Sequence, residues 1–204
     1  MLTEFSATLP AWVTQIDRSR RAMLSERMQF AIELAGRNVA ERTGGPFGAA
    51  VFDLESGELV AVGVNVVVAS GLAMAHAEVM ALSLAQATLG THNLGAVSAR
   101  ESGTRRLQLV TSAEPCLMCL GAIHWSGVVS VAAAARDADV RAIGFDEGRK
   151  PDDWQATLEA VGIETFADCE RGDAVAVLRA YAADGGPMYN AAPSPNAARN
   201  GGDG

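Results

Sequence analysis

The sequence predicts an α/β fold in which helices cover both faces of a single sheet. Short apolar segments alternate along the chain with longer segments whose apolar residues recur at helical spacing. The chain has 204 residues, of which 49% are hydrophobic and 20% are charged. This length and composition suit one domain with a sizeable core and flexible ends.

The N-terminal half is predicted to contain a helix, a β-hairpin and a second helix. Residues 22–41 carry apolar side chains three and four positions apart, and the sequence RTGGPFG then ends this helix. The segments AAVFDL (49–54) and LVAVGVNVVV (59–68) are predicted strands, joined by the hairpin sequence ESGE. A second helix is predicted at about residues 75–89, followed by the polar loop HNLGAVSARESGTRR.

The C-terminal half continues the alternation of strands and helices. We first expect a buried strand at LQLVTS, a helix at 116–126 and a strand at GVVSVAAAA. A short helix at 137–142 and the loop IGFDEGRKP follow. The chain then continues with a helix near 152–161, a short strand at IETFA and a final helix at 170–183.

The ends of the chain are predicted to lie outside the main domain. The stretch DGGPMYNAAPSPNAARNGGDG is rich in Gly, Pro, Asn and Ala, a composition typical of disorder. We therefore expect an N-terminal extension at 1–21, the main domain at 22–183, a C-terminal segment at 184–190 and a disordered tail at 191–204.

The charge balance disfavours a nucleic-acid partner. The 16 basic and 24 acidic residues give a net charge of -8, whereas phosphate binding requires clustered Lys and Arg. No apolar run reaches the roughly 18–20 residues that span a bilayer. The first residues, MLTEFSATLPAW, lack the basic start and apolar core of a signal peptide, so we expect a cytoplasmic protein that does not bind membranes.

The stretch MAHAEVMAL places His76 and Glu78 two residues apart in an otherwise apolar helix. A single histidine in such a helix is more often a hydrogen-bonded core residue. However, imidazole also binds metals, and a neighbouring carboxylate can act as a general base.

A second motif, TSAEPCLMC, places Cys116 and Cys119 at the predicted start of a helix, directly after a proline. Both sulfurs then share one helix face near the positive end of the dipole, which favours thiolates. The odd number of cysteines does not suggest a disulfide framework, and the remote Cys169 is expected to be a buried free thiol.

Taken together, the two motifs predict a catalytic zinc site. A CxxC motif alone is often redox-active or structural, and a structural zinc would need a fourth ligand. His92 and His124 are the candidates, but neither has suitable spacing. Three ligands, His76, Cys116 and Cys119, leave one position open for water. The pattern H-x-E followed by P-C-x-x-C is the signature of zinc nucleobase deaminases.

From about Gly44 to Asn190 the sequence resembles the bacterial guanine deaminases of the cytidine deaminase-like superfamily. The resemblance covers GGPFGAAVF, AHAEVMALSLAQ, TSAEPCLMCLGAIHWSGV and AARDADVRAIGFDEG. It implies a three-layer α/β/α sandwich around a mixed five-stranded sheet, with zinc between two helix N-termini. It also implies a homodimer in which the C-terminal segment of one subunit closes the active site of the other.

The resemblance assigns further residues to a purine site. It implies that Glu147, rather than Asp146, enters the site. An ionised carboxylate only accepts hydrogen bonds and so complements the N1–H and 2-amino donors of guanine. It also implies that Asn65 binds the base and that Tyr189 is the aromatic residue of the C-terminal segment. The alternatives are a solvated acidic turn, a turn asparagine and an unstructured tail, respectively.

We place three apolar residues in the same pocket. Phe47 and Trp125 could stack on a flat ring, although either could equally be a core residue, and Ala77 lies between the histidine and the glutamate. The backbone of Ala113 and Glu114, next to the cysteines, is also expected to help hold the base.

The resemblance implies a zinc-dependent enzyme that hydrolyses guanine to xanthine and ammonia. A hydroxide formed at the open zinc position is expected to attack C2, while Glu78 carries the proton and Glu147 assists. Alternatives are a deaminase of guanosine, a cytosine-type base or an aminotriazine such as ammeline, and a tRNA adenosine deaminase. A further alternative is an inactive zinc-binding interaction domain.

Overall fold

The computed structural model describes residues 1–98 and 103–190 of the chain. The strands are β1 (Gly48–Asp53), β2 (Leu59–Val64), β3 (Leu107–Ala113), β4 (Ser130–Ala135) and β5 (Glu164–Phe166). The helices are α1 (Leu24–Ala40), α2 (Val67–Ser70), α3 (Ala77–Leu89), α4 (Leu117–Ser126), α5 (Asp137–Ala142), α6 (Trp154–Glu159) and α7 (Arg171–Ala183), with 3-10 turns at Ala11–Gln15 and Leu94–Ala96.

The five strands form one mixed sheet in the order β2-β1-β3-β4-β5. Strand β1 pairs antiparallel with β2 and β3, whereas β3 with β4 and β4 with β5 are parallel. Parallel neighbours need a crossover connection. Helix α4 supplies it between β3 and β4, and α5 and α6 supply it between β4 and β5. The predicted mixed five-stranded sheet is therefore confirmed.

The sheet separates two apolar cores, because successive strand side chains point to opposite faces. Val51 belongs to the cluster formed with α3, α4 and α6, and Phe52 to the cluster formed with α1 and α7. Both side chains are completely buried. Phe30 of α1 meets the ring of Phe52 edge-on, with the ring centroids 6.0 Å apart. The layers are thus helix, sheet and helix, as expected.

The second strand is shorter than predicted. The apolar run 59–68 was expected to be extended throughout, but β2 ends at Val64 and the short helix α2 follows. The buried Asn65 causes the change of direction, since its Oδ1 accepts a hydrogen bond from the N–H of Val67 at 3.2 Å. A local side-chain contact of this kind overrides the strand preference of β-branched residues.

The N-terminal extension packs onto the domain. Trp12 and Val13 are buried, and Trp12 Nε1 donates to Thr43 Oγ1 at 3.1 Å. The tail 191–204, predicted to be disordered, lies outside the described residues, as do residues 99–102 of the predicted polar loop. Among the described residues, no helix is both long enough and apolar enough to cross a membrane.

Candidate metal centre and substrate pocket

Two helices in mutual contact, α3 and α4, begin at the predicted motifs. His76 is the N-cap residue of α3 and Cys116 that of α4, both with extended backbone. Helix α3 lies close against β2 because residue 63 is glycine, since a Cβ there would overlap the carbonyl oxygen of Ala77. The first-turn N–H groups of both helices are therefore near the same point, where they favour negative charge.

His76, Cys116 and Cys119 form a cluster with the dimensions of a zinc site. Nδ1 of His76 lies 3.5 Å from Sγ of Cys116 and 3.7 Å from Sγ of Cys119, and all three ligand atoms lie within 4.8 Å of one another. For Zn–S and Zn–N bonds of about 2.3 and 2.0 Å at a tetrahedral angle, sulfur and nitrogen are about 3.5 Å apart. The donor set and its spacing therefore fit zinc, with Nδ1 as the imidazole ligand.

The two thiols share one negative charge. A hydrogen bond from Cys119, together with contact to the His76 ring, lowers the pKa of Cys116 to about 4 despite its burial. The same hydrogen bond and burial raise the pKa of Cys119 well above its ordinary value. A divalent cation displaces the remaining proton, because cysteine binds metals as the thiolate.

Glu78 stands in the first turn of α3 and is buried, with 6% of its surface exposed. Burial raises the pKa of its carboxyl group, and the negative charge of Cys116 adds to this effect, while His76 opposes it. A carboxyl group with a raised pKa close to a metal site suits proton transfer near neutral pH.

Glu147 is buried on the loop that follows α5, with 8% of its surface exposed. Its carbonyl oxygen accepts a hydrogen bond from the N–H of Leu117 at 3.2 Å, which joins this loop to the start of α4. Burial, and the charges of Cys116 and Glu78, raise the pKa of Glu147 to about 8, although Lys150 and His76 act in the opposite direction.

A pocket of about 370 Å³ opens over the metal cluster, within the size range of small-molecule sites. The lining residues are Phe47, Asn65, Val67, Ala73, His76, Glu78, Ala113, Glu114, Cys116, Leu117, Met118, Phe145, Asp146, Glu147, Gly148, Tyr189 and Asn190. Polar groups thus converge from several segments on a partly apolar cavity. Phe145 is its central aromatic residue, with ring centroids 5.2 Å from Phe47 and 4.9 Å from Tyr189.

The C-terminal segment 184–190 closes the pocket of its own chain. Asn190 donates to the carbonyl oxygen of Gly144 at 2.8 Å and accepts from the N–H of Asp146 at 2.8 Å. The hydroxyl group of Tyr189 is buried without a hydrogen-bond partner among the described residues, and burial raises its pKa. It lies so close to Gly45 that a Cβ there would overlap it. In this single chain the segment lies over its own pocket, and the exchange of the segment between subunits stays a prediction.

Most of the predicted site residues converge on this pocket. They are His76, Glu78, Cys116, Asn65, Phe47, Glu147 and Tyr189, with the fully buried Cys119 behind them. Ala113 and Glu114 also line it, although the N–H of Glu114 is already bonded to the carbonyl oxygen of Ala135 at 2.8 Å.

Two of the residues predicted to contact the substrate do not line this pocket. Trp125 is 81% exposed on the outer side of α4, where it packs against His124, because its position on the helix faces away from Cys119. Ala77 is a core residue whose side chain packs against the sheet rather than lining the pocket. His92 and His124 are exposed and do not belong to the cluster, so neither supplies a fourth ligand. Cys169, expected to be buried, is a half-buried free thiol.

The sequence reasoning missed Phe145 and Asn190. Phe145 lies two positions before Glu147, and residues two apart in extended chain share a side, so the pair could have been recognised. The side-chain amide of Asn190 bonds main-chain atoms of a loop more than forty positions away, and the sequence carries no local signal for such a contact.

Comparison with known proteins identifies the class to which this fold and site belong. Residues 22–135 match the family described as the cytidine and deoxycytidylate deaminase zinc-binding region. The match includes His76, Glu78, Cys116 and Cys119 and ends before Glu147. The chain therefore belongs to the cytidine and deoxycytidylate deaminase zinc-binding family, and the triad is its zinc-binding site.

Within this family the chain is similar to guanine deaminases. It is 39% identical over 120 residues to guanine deaminase of Bacillus subtilis (strain 168), covering 59% of this chain and 69% of that protein. It is 46% identical to a guanine deaminase from Nitrosomonas europaea, with a TM-score of 0.83 over 90% of this chain and 98% of the other. A structure of NE0047 with 2,6-diaminopurine shares 48% identity and a TM-score of 0.82, over 90% and 95% of the two chains.

Proposed function

We propose that this protein is a zinc-dependent aminohydrolase that converts guanine to xanthine and ammonia. The observation that carries this proposal is the position of Glu147, whose buried carboxyl group lines the same pocket as Glu78 and the His76–Cys116–Cys119 cluster. The guanine deaminases described above share 39–46% of their residues with this chain over the matched regions.

Guanine fits the polar character of the pocket. Its N1–H and 2-amino groups are adjacent donors next to C2, the carbon that is attacked. The ionised carboxylate of Glu147 offers two acceptors to this edge. Adenine presents an acceptor at N1, which would face the carboxylate without a hydrogen bond. Glu147 thus selects guanine over adenine.

Glu78 carries the proton in this mechanism. Zinc, when bound by the triad, supplies an open position at which water becomes acidic enough to act as the nucleophile near neutral pH. The carboxylate of Glu78 accepts a proton from the attacking water and delivers it to the ring nitrogen beside C2. A C2–O bond forms, the bond from C2 to the amino nitrogen breaks, and ammonia leaves with the second proton of the water.

Glu147 assists the departure of ammonia as well as binding. With a pKa of about 8, the carboxyl group is mostly protonated near neutral pH, so it loses its proton when it accepts hydrogen bonds from the donor edge of guanine and can return a proton later. The hydrogen bonds to the donor edge of guanine place the Glu147 carboxyl group beside the 2-amino group. The carboxyl group is therefore well placed to protonate the leaving nitrogen.

Asn65, Phe47 and Tyr189 orient the base. The Oδ1 atom of Asn65 is fixed by the N–H of Val67, which leaves its amide N–H groups to donate to the purine. Phe47 provides an apolar wall, and the Tyr189 ring and its buried hydroxyl close the opposite side. By covering the pocket, the segment 184–190 also excludes bulk water during the reaction.

This enclosure disfavours the runner-up, a tRNA adenosine deaminase. An anticodon loop needs an open, basic approach, whereas the net charge is -8 and a C-terminal segment covers the pocket.

We also propose that the protein forms a homodimer, supported by the exposed apolar residues Leu117, Met118 and Trp125 on α4. Exchange of the segment 184–190 between the subunits of that dimer, which the resemblance implies, stays a prediction. Light scattering of the purified protein measures the mass that tests the dimer.

The function is tested by ammonia release from zinc-loaded protein on guanine, guanosine, adenine, cytosine, ammeline and a tRNA anticodon stem-loop. We expect guanine to have the highest kcat/KM. Activity confined to the stem-loop would transfer the protein to the runner-up class, and preference for guanosine or ammeline would reassign its substrate. A zinc-loaded protein that releases no ammonia from any substrate would support the inactive interaction domain.

A further inference from the structure

Lys150, the chain's only lysine, has an enclosed side chain beside the turn that leads into Cys116. Only 8% of its side chain is exposed, which is unusual for lysine. Its ammonium group lies 3.0 Å from Oε2 of Glu114, 3.4 Å from the carbonyl oxygen of Pro115 and 3.4 Å from Oδ1 of Asp137. The first two contacts are hydrogen bonds, and the third is an ion-pair contact with a carboxylate oxygen that has no hydrogen-bond partner among the described residues.

These acceptors belong to a rigid part of the molecule. The N–H of Glu114 continues the pairing between β3 and β4 by donating to Ala135, and its carboxylate also accepts from the N–H of Asp137 at 3.0 Å. Glu114 stands two residues before Cys116. The ammonium group is thus attached to the same turn that carries a zinc ligand.

The other end of the lysine lies on the loop that carries Glu147. This loop has two glycines with positive φ, Gly144 at 108° and Gly148 at 71°, so its backbone has unusual freedom. Lys150 follows Glu147 by three residues. Arg141 makes a second attachment, with Nη2 donating to the carbonyl oxygen of Gly148 at 2.7 Å.

We infer that Lys150 is a positioning residue that holds the Glu147 carboxyl group at a fixed place relative to the zinc ligands. Two links join this loop to the start of α4. One is the ion pair between Lys150 and Glu114, and the other is the main-chain hydrogen bond from the N–H of Leu117 to the carbonyl oxygen of Glu147. Its role in guanine turnover rests on the proposed function. A buried ion pair is by itself weak support for stability, so a role in geometry explains this arrangement better.

The experiment is a double-mutant cycle between Lys150→Met and Glu147→Gln, with kcat and KM on guanine, bound zinc and affinity for 8-azaguanine measured for each protein. Lys150→Met is expected to lower kcat/KM about 10- to 100-fold, as misplacement of a contact by about 1 Å does, with zinc content unchanged. In the Glu147→Gln background the same change is expected to cost less than about twofold, because there is no carboxylate left to position. Affinity for 8-azaguanine should follow the same pattern.

Matched variants keep the test decisive. The double variant Glu114→Gln/Lys150→Met removes both charges, so the Glu114 carboxylate is not left without its cation. If Lys150→Met alone fails to fold, this double variant replaces it in the cycle, and its effect is again expected to be much smaller in the Glu147→Gln background. Lys150→Arg retains the charge and should restore part of the activity. Arg179→Met, on the exposed side of α7, removes a positive charge away from the site and should leave kcat/KM unchanged.

Two results would overturn the inference. Wild-type kinetics in the Lys150→Met variant would show that the ion pair does not position Glu147, and equal losses in both backgrounds would show that it acts independently of Glu147. If the wild-type protein itself released no ammonia from guanine, the proposed function would fail instead. The 8-azaguanine affinities would then still decide whether Lys150 and Glu147 act together.

Discussion

Replacement of Glu147 by glutamine tests how the pocket recognises its substrate. The two side chains have nearly the same shape, but Glu147→Gln turns one carboxylate oxygen into an N–H donor. Where the carboxylate faces N1–H and the 2-amino group of guanine, the amide can accept from only one of them. The second guanine donor is then opposed by another donor and left without a partner.

The size of the effect follows from the burial of the site. A hydrogen bond to a charged group contributes about 1.5–3 kcal/mol, and a buried donor without a partner costs about 1–3 kcal/mol. Because Glu147 is only 8% exposed, water does not restore the lost contact. Together these contributions give about 2.5–6 kcal/mol, which corresponds to a decrease of about 100-fold or more in kcat/KM on guanine.

The assay is ammonia release from guanine, with bound zinc measured on the same samples. Asp146→Asn is the matched control, because Asp146 is adjacent on the loop but its side chain is 58% exposed. Its Oδ1 accepts from Arg141 and from the N–H of Gly148, and asparagine keeps that acceptor. The control should lose less than about threefold. Equal losses in the two variants would attribute the effect to the loop as a whole, and near-normal turnover by Glu147→Gln would remove this carboxylate from substrate binding.

Three other predictions concern the remaining groups of the site. Glu78→Gln should retain zinc and lose about 10²- to 10⁴-fold in kcat, because the amide cannot carry a proton, and an active zinc-loaded variant would refute the mechanism. Cys119→Ala should lose bound zinc, measured by metal analysis, since it removes a buried thiolate ligand, and full zinc content would exclude Cys119 from the ligand set. Tyr189→Phe should raise KM for guanine a few-fold while Tyr189→Ala raises it further, and equal KM values in all three proteins would mean that the segment does not cover the bound base.

The sequence predicts the local part of this site well and the long-range part poorly. His76 with Glu78, and Cys116 with Cys119, are close in the sequence and each pair lies at a helix start, so spacing and helix geometry identify them. Glu147 lies about thirty residues further along, and only the resemblance to a family indicated it. Nothing in its local sequence distinguishes it from a solvated turn.

The other differences between prediction and structure also have physical causes. Trp125 was assigned to the pocket because aromatic residues stack on bases, but it is six positions from Cys119, which places it about 120° away around the helix. Ile123, four positions from Cys119, shares its buried side. The strand predicted at 59–68 ended early because the Asn65 side chain bonds the backbone of Val67, a contact that composition does not reveal.

The topology explains why distant segments meet at one place. Strand β1 is antiparallel to β2 and β3, and β4 is parallel to β3, so β2, β3 and β4 all point in the same direction. Their carboxyl ends therefore share one edge of the sheet, where ligands bind in open α/β sheets. Asn65 follows β2, Cys116 follows β3 and Glu147 follows β4 and α5, while Phe47 enters β1 from the same edge.

The opposite edge should accordingly affect stability but not catalysis. There Arg105 Nε lies 2.6 Å from Oδ2 of Asp53, with side chains 17% and 8% exposed, a pair comparable with Lys150 and Glu114 at the catalytic edge. Burial alone would raise the pKa of Asp53, but the N–H groups of Ser56 and Glu55 and the Arg105 guanidinium together hold it below its ordinary value.

Arg105→Met is therefore expected to lower the free energy of unfolding by about 1–3 kcal/mol, between the values for exposed and buried pairs, while kcat/KM on guanine stays within about twofold of the wild-type value. Because folding lowers the pKa of Asp53, its ionic contribution is fully present above its ordinary pKa near 3.9 and is lost as the pH falls through the folded value. Urea unfolding of the zinc-free proteins should thus show the full difference at pH 7 and a smaller one below about pH 4. A loss of turnover as large as that of Lys150→Met would mean that any broken ion pair disturbs the site, and the division between a catalytic and a structural edge would be wrong.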